Sequence, residues 1–235
     1  MTLGITSLLS PASDHRVTSL VASARAGGID IEFVDGGWEQ RLDALRSGAA
    51  AAGWICGLLH VELQASTIWP LRAVAAPRAT RSGLAGAPVY FGDVVVARDS
   101  PIREFSDLAG LSFTYNEAAS LSGFRMMVAR LTELGTDLGF FGSSFASGSH
   151  AESLRLVAQG AADCAVIDST LMDDQVSGSD QVRILTSIGP YPAPPLIADP
   201  SVSQLARTAA EAAGWASLDE DVYAILRALP PGAPG

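Results

Sequence analysis

The chain contains no lysine. All 15 basic residues are arginine, set against 25 acidic ones for a formal net charge of −10. A surface that gathers nucleic acid needs a basic stripe, and this balance excludes one. It leaves a small anionic ligand open, because a buried site is governed by local amides and a few side chains. Cysteine is scarce too. Cys56 and Cys164 lie far apart in apolar, strand-like segments, so two reduced core thiols are expected. His15, His60 and His150 are scattered without zinc-ligand spacing, and neither a metal nor a cofactor is expected. No apolar run reaches the length of a membrane span. The opening MTLGITSLLSPASDHR lacks an early basic residue, and Pro11, Asp14 and His15 end its short apolar stretch. It does not read as a secretory leader. The chain as written therefore reads as cytoplasmic, or as periplasmic or cell-surface if a leader has been removed.

Catalytic signatures are missing as well. There is no G-x-S-x-G elbow, no phosphate-binding P-loop and no dinucleotide fingerprint ahead of a helix. The SGSH stretch places Ser149 beside His150, but adjacent residues rarely form a nucleophile–base pair.

What is present is an ordinary globular composition, 48% hydrophobic and 17% charged. LGITSLL reads as a strand ending at Ser10-Pro11. Val17, Leu20, Val21 and Ala24 then recur at helical spacing until Gly27-Gly28. IDIEFVD alternates as a strand, Trp38 to Gly48 forms a helix, and AAAGWICGL is a further buried strand. Strand–helix–strand–helix–strand predicts a parallel sheet with crossover helices. After a looser region rich in proline and glycine, VYFGDVVVARD gives a strong strand signal. SPIREFSDLAG holds a short helix, LSFTYN a strand, RMMVARLTEL and SLRLVAQG helices, and ADCAVIDS and VRILTSIG strands. PYPAPP reads as a rigid connector, and SVSQLARTAAEAAG and LDEDVYAILRAL close the chain as helices. Two α/β lobes are expected, residues 1–90 with 190–235 in the first and 91–189 in the second. A cleft between two lobes is a common place for a ligand.

The stretch YNEAASLSGF, directly ahead of RMMVARLTEL, sets two serines and a glycine where a strand gives way to a helix. The first amides of a helix lack intrahelical partners. Serine caps them, and with the positive end of the helix dipole they also hold anions. Architecture and function are both open readings of Ser120, Ser122 and Gly123.

GWICGLLHVEL, APVYFGDVVV, SDLAG, YNEAASLSGF, SGSHAESLRLVAQGAADCAVIDS and IGPYPAPPLI follow one another in an order that resembles the phosphate/phosphite/phosphonate-type substrate-binding proteins of ABC transporters. The resemblance spans roughly residues 1–200. It implies the type 2 periplasmic-binding fold, two mostly parallel sheets flanked by helices, with a small solute bound between the lobes. In that family a Ser-Thr-Ser-Gly turn at a helix start binds the oxyanion and a later Ser-x-His assists. Ser120, Ser122 and Gly123 match the turn, Leu121 stands where the family often has threonine, and His150 matches the later histidine, with Ser149 beside it. The resemblance also implies that Tyr90 and Trp54 face the cleft, that Asp168 is placed to meet a cationic ligand group, and that His60, where tyrosine is more usual, retunes specificity. Against these stand plain structural readings: core packing for Trp54 and Tyr90, a helix cap for Asp168, and a solvent-facing side chain for Arg125. A bound anion would favour protonated His150, so affinity is expected to fall as the pH rises past the bound-state pKa.

The function implied is that of a monomeric, non-catalytic solute-binding protein for a small anion, partnered by an ABC permease. Two alternatives on the same fold are a cytosolic lyase resembling chorismate dehydratase, acting on a small carboxylate, and a cytosolic ligand sensor.

Overall fold

The computed structural model describes residues 2–65, 69–81, 84, 86–175 and 177–230. Two compact units take up the chain, each built on its own sheet. The first draws on the described residues of Met1–Val89 and Pro192–Arg227, the second on those of Tyr90–Tyr191 and Ala228–Gly235. The architecture is α/β, as the element pattern predicts.

In the first unit β1 (Leu3–Ser7), α1 (Asp14–Ala26), β2 (Ile31–Phe33), α2 (Trp38–Ser47) and β3 (Ala52–Trp54) follow in turn. β1 runs parallel to both β2 and β3, which is the predicted crossover arrangement. The spacing of Val17, Leu20, Val21 and Ala24 puts all four on the buried face of α1. They share a core with Ala206, Ala209 and Ala210 of α7 (Ser203–Ala212), whose small side chains let the two helices approach closely. Each Leu or Val buried this way stabilises the unit by about 1.5–3 kcal/mol relative to exposure.

Three features of this unit depart from the sequence reading. The expected strand AAAGWICGL stops at Trp54, and α3 (Gly57–Ala65) begins three residues later. β4 (Arg72–Ala76) forms in the region read as loose, and β10 (Leu196–Ala198) follows the proline-rich connector. Both are short, and β10 lies antiparallel between β3 and β4. With the two-residue β11 (Ala216–Ser217), the sheet order becomes β11-β4-β10-β3-β1-β2. The last expected helix is a 3₁₀ segment, Glu220–Ala228, rather than an α-helix.

The second unit holds β5 (Val89–Ala97), β6 (Ser112–Tyr115), β7 (Ser143–Ala146), β8 (Cys164–Asp168) and β9 (Val182–Pro192) in the order β7-β6-β8-β5-β9. β6 is parallel to β7 and to β8, while β5 is antiparallel to β8. The chain steps from β6 outward to β7 through α4 (Met126–Glu133), then back across β6 to β8 through α5 (His150–Ala158). Right-handed crossovers in opposite directions place their helices on opposite faces of the sheet. Leu154 and Val157 of α5 accordingly pack with Val95, Ala165 and Ile167. On the other face Gly92 is so close to the start of the α4 helix that an added Cβ would stand 3.0 Å from both the Ser122 carbonyl oxygen and the Met126 sulfur.

Neither cysteine forms a disulfide. Cys164 is buried and its thiol pKa is driven upward by burial, with the Asp163 carboxylate adding to the shift; Cys56 is half-buried.

Candidate functional site

Where a parallel sheet changes direction, the carboxyl ends of the diverging strands open a place for a ligand. In the second unit that point lies beyond the ends of β6 and β8, where α4 and α5 begin. Ser120 has extended backbone angles and its Oγ accepts the Gly123 N–H at 3.1 Å. A π-type turn over Leu121–Arg125 follows and runs directly into α4. Its first backbone bonds are Arg125 N–H to the Ser120 carbonyl, 3.0 Å, and Met126 N–H to the Leu121 carbonyl. The amides of Leu121 and Ser122 precede them and have no partner within the helix. Wide π-type turns of this kind are frequent at functional sites.

The second helix start is built the same way. Ser149 caps α5, its Oγ accepting the Glu152 N–H at 3.1 Å, and His150 is the first helical residue. The register brings the His150 ring against the turn, with Nε2 3.4 Å from Ser122 Oγ. Asp168 ends β8 and divides its carboxylate between two tasks. Oδ1 accepts from the Thr170 N–H at 2.8 Å and the Thr170 hydroxyl at 2.7 Å, capping α6 (Ser169–Asp173), while Oδ2 lies 3.5 Å from Ser122 Oγ. Both contacts of Ser122 are long for hydrogen bonds to a hydroxyl, so its O–H retains capacity for a ligand.

Ser120, Ser122, Gly123, His150 and Asp168 are thus brought together, with Ser149 holding the helix start behind the imidazole. Two positive helix ends converge there, and the carboxylate of Asp168 partly offsets them. His150 is 8% exposed. Burial lowers its pKa from 6.5 to about 4, against a smaller upward pull from the Val166 carbonyl. The imidazole is therefore neutral near pH 7 in the unliganded chain, and only an adjoining anion would restore the protonated form expected from the sequence.

Other expected site residues lie elsewhere. Trp54 is 0% exposed in the core of the first unit. Its indole N–H donates to the Pro194 carbonyl at 2.8 Å and its ring tilts against Trp215 at 5.3 Å. The expectation that it faces a ligand is corrected: the last residue of a central strand points into the sheet's own core. His60 is corrected likewise. It is 0% exposed on α3 rather than in a strand-to-loop segment, and Nε2 meets Glu220 Oε1 at 2.7 Å. The other oxygen of Glu220 accepts the Ala73 N–H at 2.7 Å. These contacts tie the C-terminal 3₁₀ segment to α3 and β4. Tyr90 is buried at the head of β5. Arg125 is not solvent-facing, since its Nε is buried and its Nη2 donates to the Pro230 carbonyl.

One residue of the cluster went unnamed in the sequence reading. Asn116, immediately after β6, has a buried Oδ1 without a hydrogen-bond partner, and a Cβ on Gly123 would stand 1.8 Å from that oxygen. The same Cβ would be 3.1 Å from His150 Cε1.

The model of a family described as "ABC transporter, phosphonate, periplasmic substrate-binding protein" matches residues 23–217. No curated protein matches the chain. Among solved structures, a binding-protein component of an ABC phosphonate transporter from Pseudomonas aeruginosa aligns with a TM-score of 0.70 at 14% identity, over 96% of this chain and 84% of that one. PhnD1 from Prochlorococcus marinus, in complex with methylphosphonate, aligns with a TM-score of 0.73 at 13% identity, over 96% of each chain. The periplasmic aliphatic sulphonate binding protein SsuA from Escherichia coli aligns with a TM-score of 0.59 at 19% identity, over 98% of this chain and 79% of that one. At such identities these likenesses establish a shared fold, that of type 2 periplasmic binding proteins.

Proposed function

The chain belongs to the family of periplasmic substrate-binding proteins of phosphonate ABC transporters, and from that premise we propose that it captures a phosphonate- or phosphate-like solute at the Ser120–Gly123 turn. The observation that carries this reading is the meeting of Ser122 Oγ with His150 Nε2, 3.4 Å apart, at two converging helix starts. The Leu121 and Ser122 amides and the Ser120 and Ser122 hydroxyls supply donors to the anion, and charge-assisted bonds of this kind are roughly twice as strong as neutral ones. Leu121 provides one hydroxyl fewer than the threonine often found at that position. His150 and the Asp168 carboxylate complete the proposed set, the carboxylate suiting a cationic ligand group.

The geometry favours binding over catalysis. A nucleophile–base pair needs a third group to orient the base. Here Asp168 reaches Ser122 rather than the imidazole, and His150 Nδ1 has no hydrogen-bond partner. The family's members are periplasmic, and the same setting with an ABC permease as partner is proposed for this chain. No helix among the described residues is long and apolar enough to cross a membrane.

A thermal-shift series with phosphate, phosphite, methylphosphonate, methanesulfonate and small carboxylates tests the reading. A ligand present at a hundred times its Kd stabilises the folded chain by about 2.7 kcal/mol. A rise in Tm is expected with a phosphorus oxyanion and not with a Ser122→Ala, His150→Ala double variant. Unchanged Tm across the series refutes the proposal.

A further inference from the structure

The fold alone does not choose between oxyanions, since relatives with this architecture include a methylphosphonate complex and a sulphonate-binding protein. Phosphonates and sulfonates share a tetrahedral head. They differ in that a phosphonate monoanion carries a P–OH able to donate a hydrogen bond, whereas a sulfonate offers only acceptors. A site with spare donors alone suits either; a site with spare acceptors suits only the protonated one.

A spare acceptor is present at the turn: Asn116 Oδ1 is buried without a donor. The Asp168 carboxylate stands 3.5 Å from Ser122 Oγ and disfavours a second negative charge there. A buried acceptor left without a donor costs about 1–3 kcal/mol. The backbone of Asn116 is fixed from both sides of the cluster: it follows β6, and its carbonyl accepts the Gly148 N–H at 2.9 Å just before α5. The carboxamide oxygen lies over the Cα hydrogens of Gly123, where an added Cβ would be 1.8 Å away. Cα–H groups are weak donors, so they favour the oxygen over the NH₂ in that position.

Building on the oxyanion reading above, we propose that Asn116 is a specificity-determining ligand residue whose carboxamide oxygen accepts the hydroxyl proton of a monoprotonated oxyanion held at the Ser120–Gly123 turn. The solute class is then hydrogen phosphonate or hydrogen phosphate, and sulfonates are rejected. Gly123 belongs to the same device, because any side chain there would take the space that the Asn116 oxygen fills.

Titration calorimetry with methylphosphonate and methanesulfonate, in mildly acid buffer where the phosphonate keeps one proton, supplies the test. The unmodified chain is expected to bind methylphosphonate on the order of 100-fold more tightly, since an acceptor-only head leaves the buried oxygen unmet. In Asn116→Leu the methylphosphonate affinity should fall at least tenfold while methanesulfonate is no worse, so the discrimination collapses. Gly123→Ala should collapse it too by displacing an intact Asn116. Asn116→Asp, which keeps an acceptor, should retain it and serves if the leucine variant fails to fold. Equal binding of both ligands by the unmodified chain, or equal loss of both in Asn116→Leu, overturns the inference and leaves the oxyanion site standing. Binding of no phosphorus oxyanion removes the site and the inference together.

Discussion

Acid titration probes the imidazole of His150 directly. Burial holds its folded-state pKa at about 4, against 6.5 for the free side chain. The unfolded chain thus takes up its proton first as the pH falls. Stability from this group is complete above about pH 6.5, declines through the window, and is lost once the folded pKa is passed. A separation of about 2.5 units, at about 1.4 kcal/mol per unit, amounts to roughly 3 kcal/mol. Urea melts of the unmodified chain and of His150→Gln, stepped from neutral to mildly acid buffer, isolate the effect, because the other carboxylates titrate alike in both. The free energies of the two chains should approach or cross by roughly 3 kcal/mol on acidification. Saturating methylphosphonate should flatten the difference, since an anion beside the ring raises the folded-state pKa. Parallel curves for the two chains, without ligand, would refute a buried neutral imidazole.

Three further substitutions probe the surrounding frame. Arg41, whose guanidinium meets Asp14 at 2.9 and 3.1 Å and Asp35 at 2.7 Å, ties α1 to α2. Arg41→Ala should destabilise by about 2 kcal/mol in denaturant melts, less than the 3–5 of a fully buried pair, because the Asp35 side chain is 76% exposed. Glu220→Ala leaves His60 Nε2 and the Ala73 N–H unmet and should cost about 2–3 kcal/mol by calorimetric unfolding, with ligand affinity unchanged. Trp54→Phe removes the donor to Pro194 and shrinks the contact with Trp215. It should lower stability by about 1–3 kcal/mol while affinity stays within about twofold, and a tenfold loss of affinity with intact stability would return Trp54 to the site.

The elements legible in the sequence are those whose pattern is local. α1 declares itself through four apolar residues at helical spacing and a glycine pair, and β5 through consecutive β-branched residues. β4, β7 and β10 do not, because each is three to five residues long and owes its pairing to strands distant in the chain. All four residues of β7 are exposed, so SSFA carries no alternating apolar signal beyond the single Phe145. The segment after Trp54 misled for a related reason: a run of apolar residues suits a buried strand and a buried helix equally, and tertiary packing against Tyr223 and Leu226 decides for the helix.

The site shows the same division between local and distant information, with Gly123 as the sharpest case. Beside Ser122 in a strand-to-helix turn, it reads as a residue chosen for an unusual backbone angle. Yet it is absent from the glycines of positive φ, so its backbone conformation would admit an ordinary side chain. What excludes one is space: the Asn116 oxygen and the His150 ring occupy the place of its Cβ. Asn116 comes from the end of one strand and His150 from a helix 34 positions further along the sequence. Neither can be assigned to Gly123 by spacing. Serines that cap helices are recognisable one at a time, because a cap is satisfied within its own turn. An acceptor that waits, buried, for a donor is defined by what the folded chain fails to supply, and that becomes visible only when every neighbour is in place.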